Sequence, residues 1–81
     1  MKAYILLKTK PDRRGDVQRT LEKRDIDYVM GGAARKYDIV IPIESTDISD
    51  FYTIGQKVLK ISGIARAFLK ITPLDKVIRK A

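Results

Sequence analysis

Few residues in this chain have the types and spacing that chemistry needs. Asp25 and Asp27 lie two apart ahead of an apolar run, and Asp47 and Asp50 lie three apart where a helix should begin. Gly31 and Gly32 are adjacent, and Asp38 follows Tyr37 in an otherwise aliphatic stretch. Close carboxylates can share a proton or hold a metal ion. Neither pair comes with a second constellation, and turn formation and helix capping account for both. Histidine and cysteine are absent, so the commonest general base, the thiol nucleophile and the usual zinc ligands are missing. Gly31-Gly32 lacks the Gly-Lys-Ser/Thr ending of a phosphate-binding loop and reads instead as a bulge or a close backbone approach. The expectation is a protein with no catalytic residue, no metal and no cofactor, acting by binding and self-assembly.

Asp38 is the most informative charge, because a carboxylate beside so apolar a segment needs a partner. Two readings stand side by side. In one, Asp38 bridges to Arg66 or Lys70 across the sheet. In the other, it holds the ammonium group of an amino acid while backbone N–H groups near Gly31-Gly32 meet the carboxylate.

Six elements must position these residues. Residues 2–9 alternate as a strand, with Ala3, Ile5 and Leu7 on one face and Tyr4, Leu6 and Lys8 on the other. Pro11 suits the first turn of a helix, Asp12 and Asp16 its positive end, and Val17 and Leu21 its buried stripe. Residues 26–34 read as a second strand and residues 37–43 as the strongest, joined by a turn at Ala34-Arg35 or Arg35-Lys36. In that third strand Ile39, Ile41 and Ile43 face one way, and Asp38, Val40 and Pro42 the other. Ser45, Thr46 and Asp47 offer N-caps for a helix to about residue 61, in which Phe51, Ile54, Val58, Leu59 and Ile61 follow helical spacing. Gly55 is expected to allow that helix a close approach to the sheet. Ser62-Gly63 ends it, and residues 64–72 form a fourth strand with Ala65, Ala67, Leu69 and Ile71 opposite Arg66, Phe68, Lys70 and Thr72. Right-handed crossovers then give an α+β, ferredoxin-like βαββαβ fold over residues 1–72: a four-stranded antiparallel sheet with both helices on one face. Residues 73–81 read as a separate C-terminal tail, amphipathic through Leu74, Val77 and Ile78, too short to fold alone and expected either to dock on a partner subunit or to fray.

With 81 residues, 44% of them hydrophobic, the chain has one thin core and neither disulfide nor zinc to reinforce it. A domain of this size removes only about 60–65% of its unfolded surface from water, which makes self-association the remaining route to stability. No apolar run approaches the roughly 20 residues that span a bilayer, and the opening Met1-Lys2-Ala3-Tyr4 leads into a strand, so a cytoplasmic protein without membrane contact is expected. The net charge of +7 is spread from Lys2 to Lys80 rather than gathered in a block.

Two helices cover one face of such a sheet and leave the other bare. Tyr4, Leu6, Val40 and Phe68 then point outward together, and pairing two sheets face to face would bury them as a homodimer interface. Burying about 800 Å² per partner, at about 25 cal/mol per Å² for its apolar part, would supply the stability the core lacks. Two rival functions share the topology. Stacking of single-stranded RNA needs a Gly/aromatic-rich third strand, whereas residues 35–43 offer only Tyr37, which argues against direct nucleic-acid binding. An enzyme of the dimeric α+β-barrel kind would need a polar cavity that the inner strand positions do not furnish.

In order and spacing, KAYILLKTKP followed by a helix, KYDIVIPI, a helix ending in KISGI, and ARAFLKIT resemble the ligand-sensing and assembly (RAM) domain of the Lrp/AsnC transcription regulators. The resemblance implies sheet-to-sheet dimers that assemble further into rings and an amino-acid effector held between dimers. It also implies a part in transcription regulation alongside full-length Lrp/AsnC regulators, since this chain starts directly in strand one. The positions that match the family's ligand contacts are Tyr37 and Asp38, with Arg66 as a carboxylate or salt-bridge partner. Arg35 stands where the family hairpin commonly has Gly, and Ala67 and Leu69 where its fourth strand commonly has hydroxyls, so fewer polar contacts remain for an effector.

Overall fold

The computed structural model describes residues 1–32 and 36–72. Ala34 and Arg35, on which the expected hairpin turn rests, and the tail 73–81 lie outside the described residues. In chain order the elements are β1 (Lys2–Thr9), α1 (Arg14–Lys23), β2 (Val29–Met30), β3 (Ile39–Glu44), α2 (Ile48–Leu59) and β4 (Ile64–Thr72). The strands form one antiparallel sheet in the order β2-β3-β1-β4, the ferredoxin-like βαββαβ arrangement expected.

Strand alternation decides the core. Ala3, Ile5 and Leu7 of β1 and Ile39, Ile41 and Ile43 of β3 are buried beneath Val17 and Leu21 of α1 and Phe51 and Val58 of α2. Both helices therefore cover the same face. Ile61 closes the core after α2, where its amide donates to the carbonyl of Val58.

Several boundaries and orientations differ from the sequence reading, each for a physical reason. Pro11 lies three residues ahead of α1, in a turn where the Arg13 amide donates to the Lys10 carbonyl and Asp12 takes φ 64°. Asp16 does stand in the first turn, paired with Arg13 at 2.9 Å and with Arg19. β2 is two residues long, because the chain before it is still bound to α1: the Ile26 amide donates to Leu21 and the Tyr28 hydroxyl to Glu22. In β4 the register shifts at Lys8/Thr9, so that Arg66 pairs with Lys8 but Ile64 with Thr9. Ala65 is the extra residue of this bulge and is exposed, while Ile64 takes the core-facing place expected of it. In α2, Leu59 is exposed, and no atom lies within 4 Å of where a Cβ on Gly55 would stand, so Gly55 does not serve close packing on the sheet.

Gly63 does meet a steric demand. It has φ +99°, and a Cβ there would lie 3.0 Å from Arg13 Cβ and Val17 Cγ2. Its carbonyl accepts from the Lys10 amide at 2.7 Å, which ties the end of β1 to the start of β4. Among the described residues, no helix is long and apolar enough to cross a membrane.

Candidate functional site

The strand registers assemble a row of apolar side chains on the face that the helices leave open. Leu6 pairs with Val40 on one side and Phe68 on the other, and Val40 pairs in turn with Val29. Val29, Val40, Leu6 and Phe68 thus form one rung across all four strands. Pro42, Tyr4 and Lys70 make the next rung, and Lys8 with Arg66 the one on the other side. Phe68 keeps 52% and Val29 59% of their surface exposed; Tyr4, Leu6 and Val40 are half-buried by their neighbours in the sheet. The four residues expected on this face are therefore brought together there. Val29 was missed, because only the two-residue length and the register of β2 set it opposite Val40.

Asp38 is the exception to the alternation. It is buried, and so is its neighbour Ile39, which places two successive side chains on the helix-covered side. The backbone shows the cause. The Asp38 amide donates to Leu7 in β1 at 2.9 Å, while its carbonyl accepts from Gly31, beyond β2, at 2.7 Å. A regular strand residue sends both groups to one neighbour; here they part, and the side chain turns over. The expectation that Asp38 shares a face with Val40, Pro42, Arg66 and Lys70 is corrected accordingly.

The carboxylate so placed is well satisfied. Thr9 donates its amide to Oδ1 at 3.1 Å and its hydroxyl to Oδ2 at 2.6 Å. Arg14, on the first turn of α1, brings Nε to 3.9 Å from Oδ2 and donates Nη2 to the Gly31 carbonyl. That arginine thereby supplies the hydrogen bond that the turned Asp38 amide no longer gives to Gly31. Its own Nε is buried with no hydrogen-bond partner. Gly31 matches the expected close approach, since a Cβ there would stand 3.4 Å from the Tyr37 carbonyl. Burial works against the charge on Asp38, but the Thr9 hydroxyl and amide, its own amide and the nearby Lys8 outweigh it and hold the pKa below the usual carboxylate value.

A cleft of about 470 Å³ opens at this corner, lined by Lys8, Thr9, Lys10, Pro11, Asp12, Arg14 and Asp38. Tyr37 is half-buried beside it, with Lys36 Nζ 5.8 Å from the ring centroid. Arg66 does not join this group, because it stands opposite Lys8 on the open face. Three other aspartates serve turns and helix ends. Asp25 takes φ 53° at the end of α1, and its amide donates to Glu22. Asp47 caps α2 by accepting from the Ser49 amide at 3.0 Å, which lowers its pKa, and Asp50 accepts from Ser45. Among the described residues, no three acidic side chains gather as metal ligands would.

No protein-family model and no curated protein matches the chain. In fold it is similar to a solved structure, the crystal structure of FFRP-DM1, with a TM-score of 0.71 at 20% sequence identity, over 89% of this chain and 97% of that one. At that identity the likeness bears on the fold: the same ferredoxin-like order of strands and helices carries a largely different sequence.

Proposed function

We propose that this chain is an assembly domain of the Lrp/AsnC kind, pairing sheet to sheet with a second copy and building larger homo-oligomers from such pairs. The observation that carries this reading is the apolar rung Val29, Val40, Leu6 and Phe68, which crosses the whole sheet with no helix over it. The fold shared with FFRP-DM1 supports a regulatory kind of domain. In the finer reading the assembly senses an amino acid and acts on transcription through full-length Lrp/AsnC regulators. Tyr37 and Asp38 at the corner, with Arg66, are the residues we assign to the effector. Since Arg66 and the Asp38 carboxylate lie on opposite sides of one sheet, an effector touching both would lie between copies.

Multi-angle light scattering at micromolar concentration tests the assembly; dimers or larger species are expected, and a monomer removes the reading. The rim of the open face is cationic through Lys8, Arg66 and Lys70. Added salt should therefore strengthen pairing by screening like charges, whereas binding to a nucleic acid through the same face would weaken steeply. Titration calorimetry against the twenty amino acids tests the sensing half, and silence across the panel leaves assembly alone.

A further inference from the structure

One edge of the sheet is long and unpaired. β4 stands last in the strand order, and among the described residues no strand lies beyond it. Hydrogen-bond direction along β1 says which groups of β4 are free. The carbonyls of Met1 and Leu7 accept from Ser45 and Asp38 on the β3 side, so Ala3, Ile5 and Leu7 turn their backbone groups toward β3, and Lys2, Tyr4, Leu6 and Lys8 turn theirs toward β4. Their partners Thr72, Lys70, Phe68 and Arg66 are thereby engaged. Ala67, Leu69 and Ile71 are left with amide and carbonyl pointing out of the sheet.

The opposite edge is guarded. Ile39, Ile41 and Ile43 pair with Leu7, Ile5 and Ala3, so Val40 and Pro42 face the β2 side. β2 covers Val40 but stops short of Pro42, and a proline has no amide to offer there, which keeps another strand from continuing along β3. β4 has no proline between Ile64 and Thr72. Its flank is also apolar. Ala67, Leu69 and Ile71 pack against the core yet are only half-buried. Ile54 and Lys57 of α2 border the cleft that leads to the end of α1. Ile48, Tyr52 and Leu59, which are 46%, 56% and 59% exposed, lie on the other side of that helix, toward β4, against which α2 packs.

We infer that β4 pairs with β4 of a second copy, antiparallel about a two-fold axis at Leu69, so that Leu69 faces its own copy and Ala67 faces Ile71. The residues select this register. It matches each free amide of Ala67, Leu69 and Ile71 with a free carbonyl, and it sets Phe68 against Lys70 and Arg66 against Thr72 on the open face. Moving the axis to Phe68 opposes Arg66 to Lys70, and moving it to Lys70 opposes that lysine to itself. A second copy is the occupant because the edge is complementary to its own reverse, as a two-fold interface requires. Tyr52 and Leu59 of the two α2 helices then turn toward one seam. This contact goes beyond the face-to-face pairing and does not depend on it: it uses the edge of the sheet and joins two sheets into one.

The chain has no cysteine, so an introduced one reports a single contact. Leu69→Cys should give a disulfide-linked dimer, because directly opposed residues stand about 5.5 Å apart at Cα, within the reach of a disulfide. Ile71→Cys alone should link about tenfold more slowly, since its two copies lie about 14 Å apart along the strands. Mixing Ile71→Cys with Ala67→Cys chains should restore fast linking between the two variants. All three side chains lie on the helix-covered side, so face-to-face pairing alone does not bring them together. Equal rates for Leu69→Cys and Ile71→Cys overturn the proposal. The unaltered chain gives a separate measure. Amide exchange at Ala67, Leu69 and Ile71 should slow by about tenfold as protein concentration rises from micromolar to millimolar, and exchange independent of concentration overturns the proposal while leaving the face-to-face reading to light scattering.

Discussion

On the covered face of the sheet Ala3, Leu7 and Ile39 are sealed from water, whereas one residue along the same strands Leu6 and Val40 remain half-buried and Phe68 keeps 52% of its surface. Both faces come from the same alternating segments, and both are apolar at their centres. The difference lies in what covers them. Two helices suffice for one face, and the chain has no third layer for the other among its described residues. An apolar rung left in that position stabilises the monomer little, so its contribution appears when a second surface meets it.

The largest expected effect tests the covered face. Phe51→Ala should lower unfolding stability by about 3–5 kcal/mol, because it empties a fully buried position in a thin core. Denaturant titration reads the loss. Asp38→Asn should follow at about 2–3 kcal/mol, below the cost of breaking a fully buried ion pair because the Arg14 side chain is one-third exposed. The same variant sharpens the account through pH. The folded Asp38 pKa is depressed, so its contribution is complete above the ordinary carboxylate pKa of about 3.9 and is lost as pH falls through the lower folded value. Urea titrations between pH 5 and pH 2 should show that acid-side loss in the parent chain and a smaller one in the variant.

On the open face the pattern should invert. Phe68→Ala should change monomer stability by less than about 0.5 kcal/mol, yet weaken self-association by about 30-fold, as loss of an interface anchor worth about 2 kcal/mol would. Sedimentation over a concentration series separates the two. Equal losses for Phe51→Ala and Phe68→Ala in a monomer assay would abolish the distinction between the faces. The smallest effect belongs to the rim: Lys70→Glu should leave stability unchanged and reduce the dependence of dimerisation on salt, because it removes one of the repelling cations.

Much of this was legible from residue types alone. Period-two alternation in residues 2–9 and 39–43 marked both faces of two strands, and Asp47 and Gly63 marked the ends of α2 and its following turn. The corner at Asp38 was not legible. Its orientation depends on a peptide whose amide and carbonyl serve different neighbours, and its partners Thr9 and Arg14 belong to elements far away in sequence. Ala65 and Ile64 exchanged roles for a related reason: one extra residue in a bulge shifts every side chain beyond it to the other face. Leu59 fitted helical spacing only loosely, and its exposure follows from where the axis of α2 lies over the sheet.

By itself, the sequence determined the order of elements, the two-sided apolar character of the central strands and the absence of imidazole and thiol chemistry, because these depend on residue type and local period. The tertiary structure decided which side chains share a rung, where alternation breaks, and that Asp38 faces Thr9 and Arg14 rather than Arg66. Those outcomes depend on register and on hydrogen bonds between distant strands, which no local pattern encodes.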